Sequence, residues 1–234
     1  MAKKNPERID TYVMSAQRSG LNWMRTCAET FSGRATPGMR LIHPQPLLDL
    51  SPLFLRTHDP SGFKEKSNKA AWRRIGSRAA RTGKIAFLIR DPLELFGRAV
   101  QLDAEASPPE LFFVNLAFFD GLATRDKAAF YYEDFVKEPA AMAELLAFLD
   151  IRMVDGSPIE VDILSEHWDE LAGQGRSLYD KNQAGAGGSM TRSNPHDFTH
   201  HQRRLSSAQL SELNKMSERI LDQSARLWIS RYGF

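Results

Sequence analysis

The run KIAFLIR at residues 84–90 constrains the fold of this chain more than any other stretch. It is apolar without alternation, the pattern of a strand buried on both faces as in the middle of a parallel sheet. Asp91 and Pro92 follow at once. Aspartate is a strong helix N-cap and proline suits the first helical position, so a helix is expected from Pro92 to about Leu102. A parallel strand needs parallel neighbours, each reached through a crossover, so the rest of the chain should repeat the strand, turn and helix order.

It does. Tyr12 to Ser15 reads as a short buried strand, and Leu21 to Phe31 as a helix closing near Gly33. Leu53 to His58 is a second strand, bounded by Pro52 and by Asp59-Pro60. Residues 66–82 form a basic helical stretch leading into the strand at Lys84 to Arg90, and a further helix is expected from Pro109 to about Ala123. AAFYYED then offers a strand whose end carries Tyr132, Glu133 and Asp134. Pro139 opens a helix through Leu149 with Met142, Leu145, Leu146 and Leu149 on one side. Residues 173–195 contain GAGGS and few apolar side chains, which reads as a mobile loop before one last helix. Ser206 and Gln209 supply a capping box for that helix, and Leu210, Leu213, Met216, Ile220 and Leu227 its apolar stripe. The expected class is α/β, a single domain over residues 1–234 with a central parallel sheet flanked by helices.

Composition narrows the function classes. With 234 residues and 42% hydrophobic content the chain can bury one sizeable core, and a net charge of +2 gives no general drive toward nucleic acid. One cysteine, Cys27, cannot form an internal disulfide, and the polar start MAKKNPERID lacks the apolar core of a secretory signal. No run approaches 18 apolar residues, so no stable membrane insertion is expected, and the cytoplasm is the expected location. A homodimer is left open.

In an open parallel sheet, ligands bind beyond the carboxyl ends of the strands, where helix N-termini present backbone N–H groups to anions. Three strand ends deliver Gln17-Arg18-Ser19-Gly20, Arg56-Thr57-His58 and Arg90-Asp91-Pro92 to that edge. The G-x-x-x-x-G-K-S/T pattern of kinase P-loops is missing.

On these segments the chain resembles the sulfotransferase family, whose members transfer a sulfuryl group from 3′-phosphoadenosine 5′-phosphosulfate (PAPS) to a hydroxyl or amine. RSGLNW is similar to the family's 5′-phosphosulfate loop, K/R-S-G-T-T-W, and SPLFLRTHDP to its S-P-R-x-x-K-T-H-x-P segment. FLIRDPLELFGR is similar to its 3′-phosphate motif, and FYYEDFVKEP to the Y-E-D-L-x-x-x-P segment that follows. The four occur in family order across residues 12–139. The resemblance implies a P-loop nucleotide-kinase-like sulfotransferase fold, PAPS as co-substrate, no metal, and a small-molecule, glycan or lipid acceptor.

It also implies roles. Gln17, Arg18, Ser19, Gly20, Leu21 and Asn22 would hold the nucleotide's sulfated end, with Gly20 admitting close backbone approach and Arg18 forking onto anionic oxygens, and Trp23 would lie near the adenine. Leu21 and Asn22 replace the family's two threonines, and Trp23 suits the core in either reading. His58 stands at the general-base position, and Arg56 replaces the lysine that stabilises the transferring group. Arg90 would bind the 3′-phosphate, Arg98 stands where the family has a serine, Tyr132 belongs to the nucleotide set, and Arg192 would supply the closing contact. Phe112, Phe113, Phe118 and Phe119 suit core better than an acceptor pocket. Two alternatives stay open on the sequence: a small P-loop-type kinase, and an inactive protein that binds PAPS or another nucleotide.

Overall fold

The computed structural model describes residues 10–37, 47–49, 51–63, 73–101, 108–174 and 205–234, with the side chains of 98–101 outside that description. Four strands, β1 (Thr11–Ser15), β2 (Leu55–Thr57), β3 (Lys84–Ile89) and β4 (Lys127–Tyr131), form one sheet in the order β2-β1-β3-β4. Every pairing is parallel, with Val13 opposite both Arg56 and Ala86 and Phe87 opposite Ala129. The sheet is therefore the all-parallel one that KIAFLIR demanded.

Both faces of the sheet are covered, which explains the unbroken apolar run. One face sends Val13, Ala86, Leu88 and Phe130 into a core shared with α1 (Leu21–Ser32), α6 (Pro139–Phe148), α7 (Val161–Glu166) and α8 (168–174). The other sends Tyr12, Met14, Ile85, Phe87 and Ile89 against α3 (Pro92–Gln101), α4 (Pro109–Asp120), α9 (Ser207–Ile220) and α10 (Gln223–Leu227). Strand side chains alternate faces, so a strand with helices on both sides must be apolar at every position. Phe112, Phe113 and Phe119 are buried in this second core and Phe118 packs against it, so the phenylalanine cluster is mainly structural.

Local signals set most helix boundaries. The Asp91 carboxylate accepts from the Leu93 N–H at 2.8 Å and caps α3. Gly33, at φ 62°, closes α1 with its N–H on the Glu29 carbonyl. Ser206 and Gln209 form both halves of the capping box of α9. Five expectations change. The basic helix shortens to α2 (Ser77–Thr82), with 73–76 non-helical and 64–72 outside the described residues. The second strand covers only Leu55–Thr57, because as an edge strand it pairs solely with Tyr12, Val13 and Met14. AAFYYED divides into β4 and the turn α5 (Tyr132–Phe135). Leu227 does not extend the stripe of α9: Asp222 caps a separate helix through the Ala225 N–H, and Leu227 is exposed. Residues 173–174 belong to α8, and 175–195 of the expected loop lie outside the described residues.

The C-terminal segment braces the carboxyl end of β4. Tyr131 donates its hydroxyl to the Trp228 carbonyl at 3.0 Å, and Arg231 meets Asp134 through two bonds of 2.6 and 2.8 Å. The Tyr232 hydroxyl donates to Glu133 at 2.6 Å, and the other Glu133 oxygen accepts from the Asp91 N–H at 3.0 Å. Among the described residues no helix is long and apolar enough to cross a membrane.

Candidate functional site

The strand order places the topological switch between β1 and β3: the chain leaves β1 for β2 on one side, then returns to β3 on the other. Open α/β sheets bind ligands in the crevice such a reversal creates. Residues 16–20 turn from β1 into α1 at this point, with Arg18 at φ 73° and Gly20 at φ 78°. Both lie in the left-handed region, where glycine is at ease and arginine is strained. A Cβ on Gly20 would come within 2.7 Å of the Tyr132 ring and 2.8 Å of the Phe135 ring. The glycine is therefore required by packing against α5 as well as by its backbone angle, a different reason from close approach to a ligand. Ser19 is fully buried, and its Oγ has no hydrogen-bond partner among the described residues.

Arg90 lies just past β3 and is 6% exposed. It donates from Nη1 to the Arg18 carbonyl at 2.8 Å, approaches Glu94 at 3.6 Å, and stacks 4.0 Å over the Tyr132 ring. Arg90 and Tyr132 thus buttress the strained turn. The sequence reading set Arg18 and Arg90 apart as ligands for two phosphates, whereas here the guanidinium of one holds the backbone of the other. Asp91 and Glu133 lie alongside, and burial, reinforced by its carboxylate neighbours, pushes the Asp91 carboxyl up.

His58 follows β2. Its Nδ1 lies 2.7 Å from the Ser15 carbonyl and 3.2 Å from the Ser15 hydroxyl. A carbonyl only accepts, so Nδ1 carries the proton and the basic lone pair sits on Nε2. Burial, with a smaller push from Arg56, lowers the His58 pKa to about 4 against the opposing effect of the Ser15 carbonyl. The imidazole is neutral at pH 7, as a base must be.

Arg56, two residues earlier, is half-buried with no hydrogen-bond or ionic partner among the described residues, and its Nε is sealed from solvent. Burial lowers its pKa. The nearby Arg25 is buried too, but it is compensated: Nε donates to the Thr36 hydroxyl at 2.7 Å and Nη2 lies 3.6 Å from Glu29. Its pKa falls to about 10, chiefly from burial, with Glu29 opposing and Arg56 adding to the fall. Two cations share this corner, and among the described residues Glu29 serves Arg25 while no carboxylate pairs with Arg56.

A cleft opens beside His58 at the same edge. Gln17, Arg18, His58 and Asn115 make its polar end, and Leu95, Phe96, Leu111 and Phe112 its apolar wall. Asn115 was not singled out from sequence, although a lone amide within the apolar run LFFVNLAFF is a legible signal. Its Nδ2 donates to the His58 carbonyl at 2.8 Å.

The remaining expected residues divide. Trp23 is buried, 5.0 Å edge-on to Trp168, and serves the core. Leu21 is buried with it, while Asn22 is exposed and accepts from Arg25 Nη1 at 3.4 Å. Arg98 lies on α3 with its side chain outside the description, and Arg192 lies outside the described residues. Compared with known proteins, the chain matches no protein-family profile, and no curated protein is recognisably similar in sequence.

Proposed function

We propose that the protein is a PAPS-dependent sulfotransferase of the P-loop-like α/β type. The observation that carries the reading is Arg56, a half-buried guanidinium without a counter-charge among the described residues, two positions before a neutral histidine whose lone pair is on Nε2; the turn after the neighbouring strand adds a buried Ser19 hydroxyl without a partner among the described residues. Holding an unpaired cation partly out of water is costly, and the arrangement is rational if an anionic ligand completes it. PAPS supplies an activated sulfuryl group whose leaving group is a phosphate oxygen. Ser19 Oγ and the N–H groups opening α1 would hold its sulfated end, with Arg18 and Arg56 offsetting charge on the sulfuryl oxygens and the departing oxygen. His58 Nε2 would take the acceptor's proton as its oxygen or nitrogen attacks sulfur in line. Arg90 stays with the turn, and a contact to the 3′-phosphate would compete with Glu94 for its guanidinium.

The test is calorimetric titration with 3′-phosphoadenosine 5′-phosphate and with ATP. The bisphosphate should bind more tightly than ATP, and Arg56→Met should weaken it about 10- to 150-fold, the range for a hydrogen bond to a charged group. Tighter binding of ATP, or an Arg56→Met variant that binds as well as the native protein, would remove the support.

A further inference from the structure

Asn115 is 2% exposed and lines the cleft beside His58, and only half of its amide is satisfied. The orientation of that amide is fixed: Nδ2 lies 2.8 Å from the His58 carbonyl, an oxygen that can only accept, so the nitrogen must face it. Oδ1 is therefore the atom left over, sealed from solvent and without a donor among the described residues. A buried amide oxygen left unpaired costs roughly as much as a hydrogen bond contributes, and it accounts for itself if a ligand supplies the donor.

We infer that Asn115 is a specificity-determining residue that selects an acceptor with an apolar body, a reactive hydroxyl, and a second hydrogen-bond donor. The wall of Leu95, Phe96, Leu111 and Phe112 takes the body. A hydroxyl has one proton. Once it donates to His58 Nε2 it has none for Asn115 Oδ1, so the second donor must be another group on the same molecule. A site built this way rejects an analogue lacking that donor far more strongly than one differing by a methylene. The inference rests on the proposed reading only in calling this the acceptor side.

Calorimetry without nucleotide therefore separates the two, using catechol and resorcinol against phenol, guaiacol and 3-methoxyphenol. One of the diols should bind about 5- to 150-fold more tightly than phenol and than its own methyl ether. Asn115→Leu, checked for folding by its melting curve, should abolish the preference while still binding phenol. The native protein alone decides the matter if that variant does not fold. Equal affinities across the five, or a preference retained in Asn115→Leu, overturns the inference even where PAPS is turned over. A diol preference in a protein that ignores PAPS upholds the subsite and overturns the sulfotransferase reading.

Discussion

Replacing His58 with asparagine tests whether the imidazole is held neutral by its surroundings. The asparagine amide nitrogen can stand where Nδ1 stands and donate to the Ser15 carbonyl, so the anchoring bond at 2.7 Å survives while the titrating group goes. In the unfolded chain a histidine takes its proton near pH 6.5, whereas burial holds the folded His58 near 4. Between those values the unfolded state binds a proton that the folded state refuses, so stability falls as pH falls through this window and is complete above about pH 6.5. At about 1.4 kcal/mol per pH unit the loss approaches 3 kcal/mol. The ring keeps some contact with solvent at the cleft, which brings the figure nearer 2 kcal/mol. Urea unfolding from pH 7.5 to 4 should show native stability dropping by this amount relative to His58→Asn, with the curves parallel above pH 7. Parallel curves over the whole range would mean that His58 titrates as it does in water, and the account of its neutrality would fail.

Gly20→Ala should cost about 2–5 kcal/mol, combining a left-handed backbone with overlap on Tyr132 and Phe135, and lower Tm by roughly 4–20 °C. Gly156→Ala, at φ 86° with open space around its Cβ, should pay only the backbone part, about 1–2 kcal/mol in the same melts. Arg56→Met should leave the unliganded protein as stable or up to about 1 kcal/mol more so, since it removes a desolvated cation, and should let the His58 pKa rise.

What could be read from the sequence was what local chemistry dictates. KIAFLIR, the Asp91-Pro92 helix start, the Gly33 stop and the Ser206–Gln209 box each act within a few residues, and each element formed where it was expected. The same locality explains the errors. Apolar periodicity carried Leu227 into the stripe of α9 because a stripe does not register the helix break that the Asp222 cap imposes five residues earlier. Edge position, a property of the whole sheet, trimmed the second strand to three residues. At the site, the sequence brought Arg18, Arg56, His58 and Arg90 to one sheet edge but could not say what each would touch. Arg90 turning to the Arg18 carbonyl spans 72 residues, and the rings that make Gly20 necessary lie more than 110 positions away. Asn115 earned no notice because its meaning depends on the His58 carbonyl, 57 residues off.

The central claim is chemical, and sulfuryl transfer tests it directly. With PAPS carrying labelled sulfur and a panel of phenols, alcohols, sugars, lipids and amines, label should pass to an acceptor in the native protein. His58→Ala should slow that transfer about 10²- to 10⁴-fold while leaving the affinity for 3′-phosphoadenosine 5′-phosphate nearly unchanged. An acceptor already ionised at the assay pH should recover part of the rate. Binding of the nucleotide with no transfer to any acceptor, or full activity of His58→Ala toward an un-ionised alcohol, would contradict the account.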